Sequence, residues 1–86
     1  MHVVIDTAQA NHWLVYHTHR SQHSAAGFPD LVCVRGTRLV VCELKRVGQA
    51  PTMDQVRWLL ALARVDGVEV FCWDPTDVDA MMAVLA

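Results

Sequence analysis

The 86-residue sequence predicts a mixed α/β fold, a sheet of about four strands flanked by helices in the order α-β-β-β-α-β-α. Three observations carry this. DLVCVR (30–35) and RLVVCELK (38–45) are apolar runs on either side of Gly36-Thr37 and read as a hairpin. TMDQVRWLLALARVDG (52–67) opens on a capping-box pattern and continues with helical periodicity. GVEVFCW (67–73) is a strand reached from the hairpin only through that helix, so it runs parallel to the strand it joins.

The elements follow in order. Residues 3–12 carry Val3, Val4, Ala8 and Ala10 and form a short helix. WLVYHT (13–18) is rich in β-branched and aromatic types, hence a strand. HRSQHSAAGFP (19–29) is a polar loop containing glycine. A glycine first in the two-residue hairpin loop suits a type II′ turn. The hairpin strands are apolar on both faces, so helices should cover both sides of the sheet. In the helix after VGQAP (47–51), Thr52 and Gln55 form the cap, Val56, Leu59, Leu60 and Ala63 the buried face, and Gly67 the stop. Thr76 caps a last helix with Asp77 and Asp79 in its first turn and Val78, Met81, Met82 and Leu85 as its buried stripe.

A chain this short makes one domain, residues 1–86, with a modest core that oligomerisation would reinforce. No apolar run approaches the ~20 residues that span a bilayer, and MHVVIDTAQA lacks the basic start and apolar core of a signal peptide. Three cysteines without a CxxC spacing suit reduced thiols in a cytoplasmic setting better than a zinc site. The trio His17, His19 and His23 is likewise not a strong zinc pattern. The net charge of −2 speaks against a general nucleic-acid binder, but its distribution does not. Residues 1–64 hold seven bases against four acids, a net +3, whereas 65–86 hold five acids and no base. One face could therefore meet an anion, whereas composition alone favours a mixed solvated surface.

The hairpin raises the functional question, because an otherwise apolar element keeps Asp30, Glu43 and Lys45. A two-residue turn opposes Arg35 to Arg38 and, by the same count, Asp30 to Glu43, with Cβ atoms about 4.5–5.5 Å apart. Two carboxylates so close repel unless a cation or a proton intervenes. Lys45, two residues beyond Glu43, emerges on the same face. Two acids and an amine suit Mg²⁺ or Mn²⁺ and phosphodiester hydrolysis. They are equally the parts of a salt-bridge cluster, and spacing alone leaves both readings open.

Pro29-Asp30 followed by Glu43-Leu44-Lys45 resembles the PD-(D/E)xK nuclease motif. GFPDLV, a short hairpin, ELK, a glycine loop, Gln55-x-x-Trp58 and Gly67-Val-Glu-Val together resemble the VRR-NUC family of that superfamily, over roughly residues 13–75. The resemblance implies a restriction-endonuclease-like core and a metal-dependent deoxyribonuclease. Stand-alone phage and bacterial members look like homodimers related to Holliday-junction resolvases. It implies Asp30, Glu43 and the Leu44 carbonyl as ligands of Mg²⁺ or Mn²⁺, Lys45 as the catalytic lysine, and Gln55 beside the site. His17, Ser21, Ser24 and Arg46 are candidates for contact with DNA, and the three tryptophans for core or dimer contacts. The setting implied is the cytoplasm of a bacterium or a phage-infected host, without a membrane partner. There is one departure: the family's glutamate on a longer helix before the first strand has no counterpart, since Asp6 is the sole acid in residues 1–12. The alternative expectation is thus a junction-binding or assembly module with weak catalysis.

Overall fold

The computed structural model describes residues 2–18 and 25–86. The elements are α1 (His2–Ala10), β1 (Leu14–His17), β2 (Leu31–Arg35), β3 (Arg38–Leu44), α2 (Met53–Ala63), β4 (Val68–Trp73), a 3-10 turn (Pro75–Asp77) and α3 (Val78–Leu85). The strands lie in the order β1-β2-β3-β4, with β1, β2 and β3 antiparallel in succession and β4 parallel to β3. This is the predicted mixed α/β sheet. Arg35 pairs with Arg38, and Gly36 has φ +59° while Thr37 stays at negative φ, which gives the type II′ geometry.

Period-2 alternation divides the sheet. One face carries Leu31, Cys33, Val40 and Cys42, all fully buried, against Val4 and Ala8 of α1 and Met81 and Leu85 of α3. Burial raises the thiol pKa of Cys33 and Cys42, so both stay protonated and serve as small hydrophobes. The other face carries Val41 and Glu43, and α2 packs on this sheet through β4. The expectation that helices cover both faces holds only in part. Leu14, Tyr16 and Val34 share the second face and are 77%, 60% and 38% exposed, because α2 sits toward β4 and leaves the β1–β2 half open.

Sequence periodicity misplaced two helical faces. In α2, Leu60 and Ala63 are exposed, and the inward side is Gln55 with the half-buried Val56, Trp58, Leu59 and Leu62. In α3, Met82 is exposed while Met81 and Leu85 are buried. The cap before α3 is Asp74, not Thr76. Its carboxylate accepts from the Thr76 N–H at 2.8 Å, and Asp77 reaches back to the Asp74 N–H at 2.9 Å. Asp74 precedes the proline and so occupies the true N-cap position, with Pro75 at the first position of the turn.

α1 ends in a Schellman arrangement: His12 N–H to Gln9 C=O, Trp13 N–H to Ala8 C=O, and His12 at φ 69°. That reversal delivers Trp13 into the core, 3% exposed, with its indole N–H on the Leu85 carbonyl at 3.0 Å. The Arg35 and Arg38 guanidinium groups lie 4.5 and 4.9 Å from its ring. They also donate to the Ala86 and Val84 carbonyls, and Arg38 pairs with Glu69 at 2.8 Å. Two of the seven bases therefore hold down the end of α3.

Candidate active site

Asp30 begins the hairpin immediately before β2. It is held there by the loop in front of it. Gly27 has φ +87°, and a Cβ at that position would lie 2.4 Å from the Asp54 carbonyl carbon in the first turn of α2. Phe28 meets Trp58 edge to face at 5.0 Å, and Pro29 is fully buried. The GFPD segment is thus seated on α2, and Asp30 emerges at a fixed point.

The β2–β3 register, Leu31 with Cys42 and Val32 with Val41, continues by one step to oppose Asp30 and Glu43. The Asp30 carboxylate accepts from the Leu44 N–H at 2.9 Å. The next residue, Lys45, sends its N–H the other way, to the Trp73 carbonyl of β4 at 2.8 Å. Within a strand, the N–H and C=O of one residue point to the same neighbour. The Leu44 carbonyl therefore lies on the Asp30 side of β3.

Glu43 is 1% exposed, and both carboxyl oxygens are buried without a hydrogen-bond partner among the described residues. Its pKa is pushed up to about 8, first by burial and then by the neighbouring Asp30 carboxyl, with Lys45 pulling the other way. A carboxylate of ordinary pKa cannot sit in this position unaided. It needs a proton or a positive charge between itself and Asp30. Lys45 does not supply that charge by contact: among the described residues it forms no salt bridge with either acid. The salt-bridge cluster that the spacing allowed is not formed. The donor set is two carboxylates and one main-chain carbonyl, the hard oxygen chemistry that Mg²⁺ and Mn²⁺ take. No third acidic, histidine or cysteine side chain completes a metal cluster among the described residues, and Asp6 is exposed on α1.

Gln55 is the other buried polar side chain among the described residues, 9% exposed. Its Oε1 accepts from the Thr52 N–H at 2.8 Å and its own N–H donates to Thr52 Oγ1 at 3.2 Å, the expected capping box. Its amide nitrogen makes no hydrogen bond among the described residues. Arg46 follows Lys45 and is exposed. His17 pairs with Leu31, so the register puts it on the core face, away from the acids. Ser21 and Ser24 lie outside the described residues. Trp13 and Trp73 are core, 3% and 5% exposed, and Trp58 is spent on Phe28.

No family model and no curated protein matches the sequence. A solved structure described as a VRR_NUC domain protein matches over 98% of this chain and 82% of its own, with TM-score 0.67 and 19% identity. The chain has the VRR-NUC fold. At that identity the likeness speaks for the fold, and the fold is the restriction-endonuclease-like α/β core expected from the sequence. No helix among the described residues is long and apolar enough to cross a membrane.

Proposed function

We propose that this chain is a metal-dependent endonuclease that hydrolyses DNA phosphodiester bonds. The observation that carries the reading is the Asp30–Glu43 pair, two opposed carboxyls of which one is buried, unpartnered and shifted to about 8. Asp30, Glu43 and the Leu44 carbonyl would hold Mg²⁺ or Mn²⁺. Such an ion supplies Lewis acidity at a phosphoryl oxygen and ionises water near neutral pH. Lys45 orients the attacking water and meets the negative charge that develops on the phosphate. Gln55, fixed at the start of α2, would stand beside the site as the VRR-NUC resemblance implies. Arg46 contacts the backbone phosphates beyond the lysine.

The finer reading is selectivity for branched DNA such as four-way junctions by a homodimer in the cytoplasm of a bacterial or phage-infected cell. It is supported by the VRR-NUC resemblance and by the open apolar patch of Leu14, Tyr16 and Val34, a surface that a second copy would cover. A second reading, a junction-binding or assembly module with weak catalysis, is favoured by one observation: no third acid joins the pair among the described residues.

The separating experiment is Lys45→Ala, assayed on a labelled junction with Mn²⁺. Cleavage should fall at least ~100-fold with an unchanged circular dichroism spectrum and junction affinity. A rate equal to that of wild type would remove Lys45 from the mechanism and undo the assignment.

A further inference from the structure

The four strands bring four side chains into one row. Glu43 stands beside Cys72 in the parallel β3–β4 register. The hairpin register sets Asp30 against Glu43. On the other side, the Thr18 N–H donates to the Asp30 carbonyl at 2.8 Å, continuing the β1–β2 register by one pair beyond His17 and Leu31. Opposed residues on neighbouring strands project to the same face. Thr18, Asp30, Glu43 and Cys72 therefore cross the sheet on the face that carries the acids.

Three oxygens of this row are buried without a hydrogen-bond partner among the described residues: both carboxyl oxygens of Glu43, and Thr18 Oγ1. A buried hydroxyl left unsatisfied costs roughly 1–3 kcal/mol, and a valine would fill the same volume without that cost. Strand geometry alone thus gives no reason for threonine over valine here. The acid pair beside it supplies one. A Mg²⁺ or Mn²⁺ ion bound by few protein oxygens keeps several of its waters, and those waters need hydrogen-bond partners.

We propose that Thr18 is a positioning residue of the acid site, its hydroxyl bonded to the water shell of the divalent cation held by Asp30 and Glu43. The inference rests on the nuclease reading above. The hydroxyl makes no hydrogen bond to either carboxylate among the described residues, and its role would be to accept from or donate to a water of the bound ion. Thr18 belongs to the β1 side of the row and Leu44 and Lys45 to the β3 side.

The test is Mn²⁺ titration calorimetry on the full chain at pH 8, with junction cleavage measured alongside, for wild type, Thr18→Val and Thr18→Ser. Thr18→Val should weaken Mn²⁺ binding by about 10-fold or more, while the melting temperature of the metal-free protein stays level or rises. Thr18→Ser should bind close to wild type. Thr18→Val binding Mn²⁺ as tightly as wild type, with wild type cutting DNA, would overturn the role of Thr18 and leave the nuclease reading standing. Wild type that neither binds Mn²⁺ nor cuts would overturn both. If the valine variant fails to fold, Thr18→Ala against Thr18→Ser carries the same comparison.

Discussion

Glu43→Gln is expected to stabilise the metal-free protein at pH 8 and to remove DNA cleavage. The two effects have one cause. The Glu43 carboxyl titrates near 4.5 when free and near 8 in the fold, raised by burial and by Asp30. Between those values the folded chain holds a proton that the unfolded chain has released. Stability therefore falls as pH rises through that window, by at most ~1.4 kcal/mol per pH unit. Below it both states are protonated and the slope vanishes. Above it both are ionised and the whole penalty stands. Glutamine has the same shape and no charge to bury, so it flattens the slope. For a domain of this size a gain of 1 kcal/mol moves Tm by about 4–8 °C, so the variant should melt roughly 5 °C or more above wild type at pH 8 and close to it at pH 4.5. Melting curves across that range check this. A variant that melts lower than wild type at pH 8 would mean that Glu43 is not strained in the metal-free state. Mn²⁺ should raise the Tm of wild type and not of the variant, since the ion relieves the same repulsion that glutamine removes.

Gly27→Ala should be the most damaging of the four glycine-to-alanine changes. Its Cβ would stand 2.4 Å from the Asp54 carbonyl carbon and 2.6 Å from the oxygen, both backbone atoms that cannot swing away, and φ is +87°. The left-handed conformation costs roughly 1–2 kcal/mol for a residue with a Cβ, and the overlap adds about 1–3. A loss of roughly 2–5 kcal/mol is expected, with Tm lower by about 8 °C or more. Gly36→Ala is the internal control. It also has positive φ, at +59°, but nothing lies within 4 Å, so only the conformational part should appear. Equal losses in the two variants would show that the close approach of the GFPD loop to α2 does not hold Asp30 in place.

Where the sequence was legible, a hard constraint made it so. A two-residue turn fixes the hairpin register, so the opposition of Asp30 and Glu43 followed from counting. The capping box placed the start of α2. What could not be read lacked such a constraint. Positions 58 to 63 of α2 are all apolar, and α3 is apolar apart from Asp79, so neither sequence marks a unique inward direction. Leu60, Ala63 and Met82 fell on the wrong side for that reason. In Asp74-Pro75-Thr76 two residues can cap, and the proline's preference for the first turn decides between them. The pairing of Thr18 with Asp30 depends on the connection 19–29, whose length fixes no register. For the same reason His17, which reads as adjacent to the site, turns to the opposite face.

The basic side chains among the described residues likewise divide in a way composition could not show. Arg35 and Arg38 are committed to Trp13, Glu69 and the end of α3. Arg57 keeps a loose pair with Asp54 at 3.9 Å. Lys45 is half-buried and Arg46 exposed just beyond Glu43, and under the proposed function they would meet a phosphate at the acid pair.

The most direct test of that site is cleavage of a labelled four-way junction and a linear duplex in Mg²⁺, in Mn²⁺ and in EDTA, with wild type beside Asp30→Ala. The site predicts cutting by wild type in one or both metals, none in EDTA, and none by Asp30→Ala under any condition. Cutting that persists in EDTA, or in Asp30→Ala, would contradict a metal-dependent centre at the Asp30–Glu43 pair.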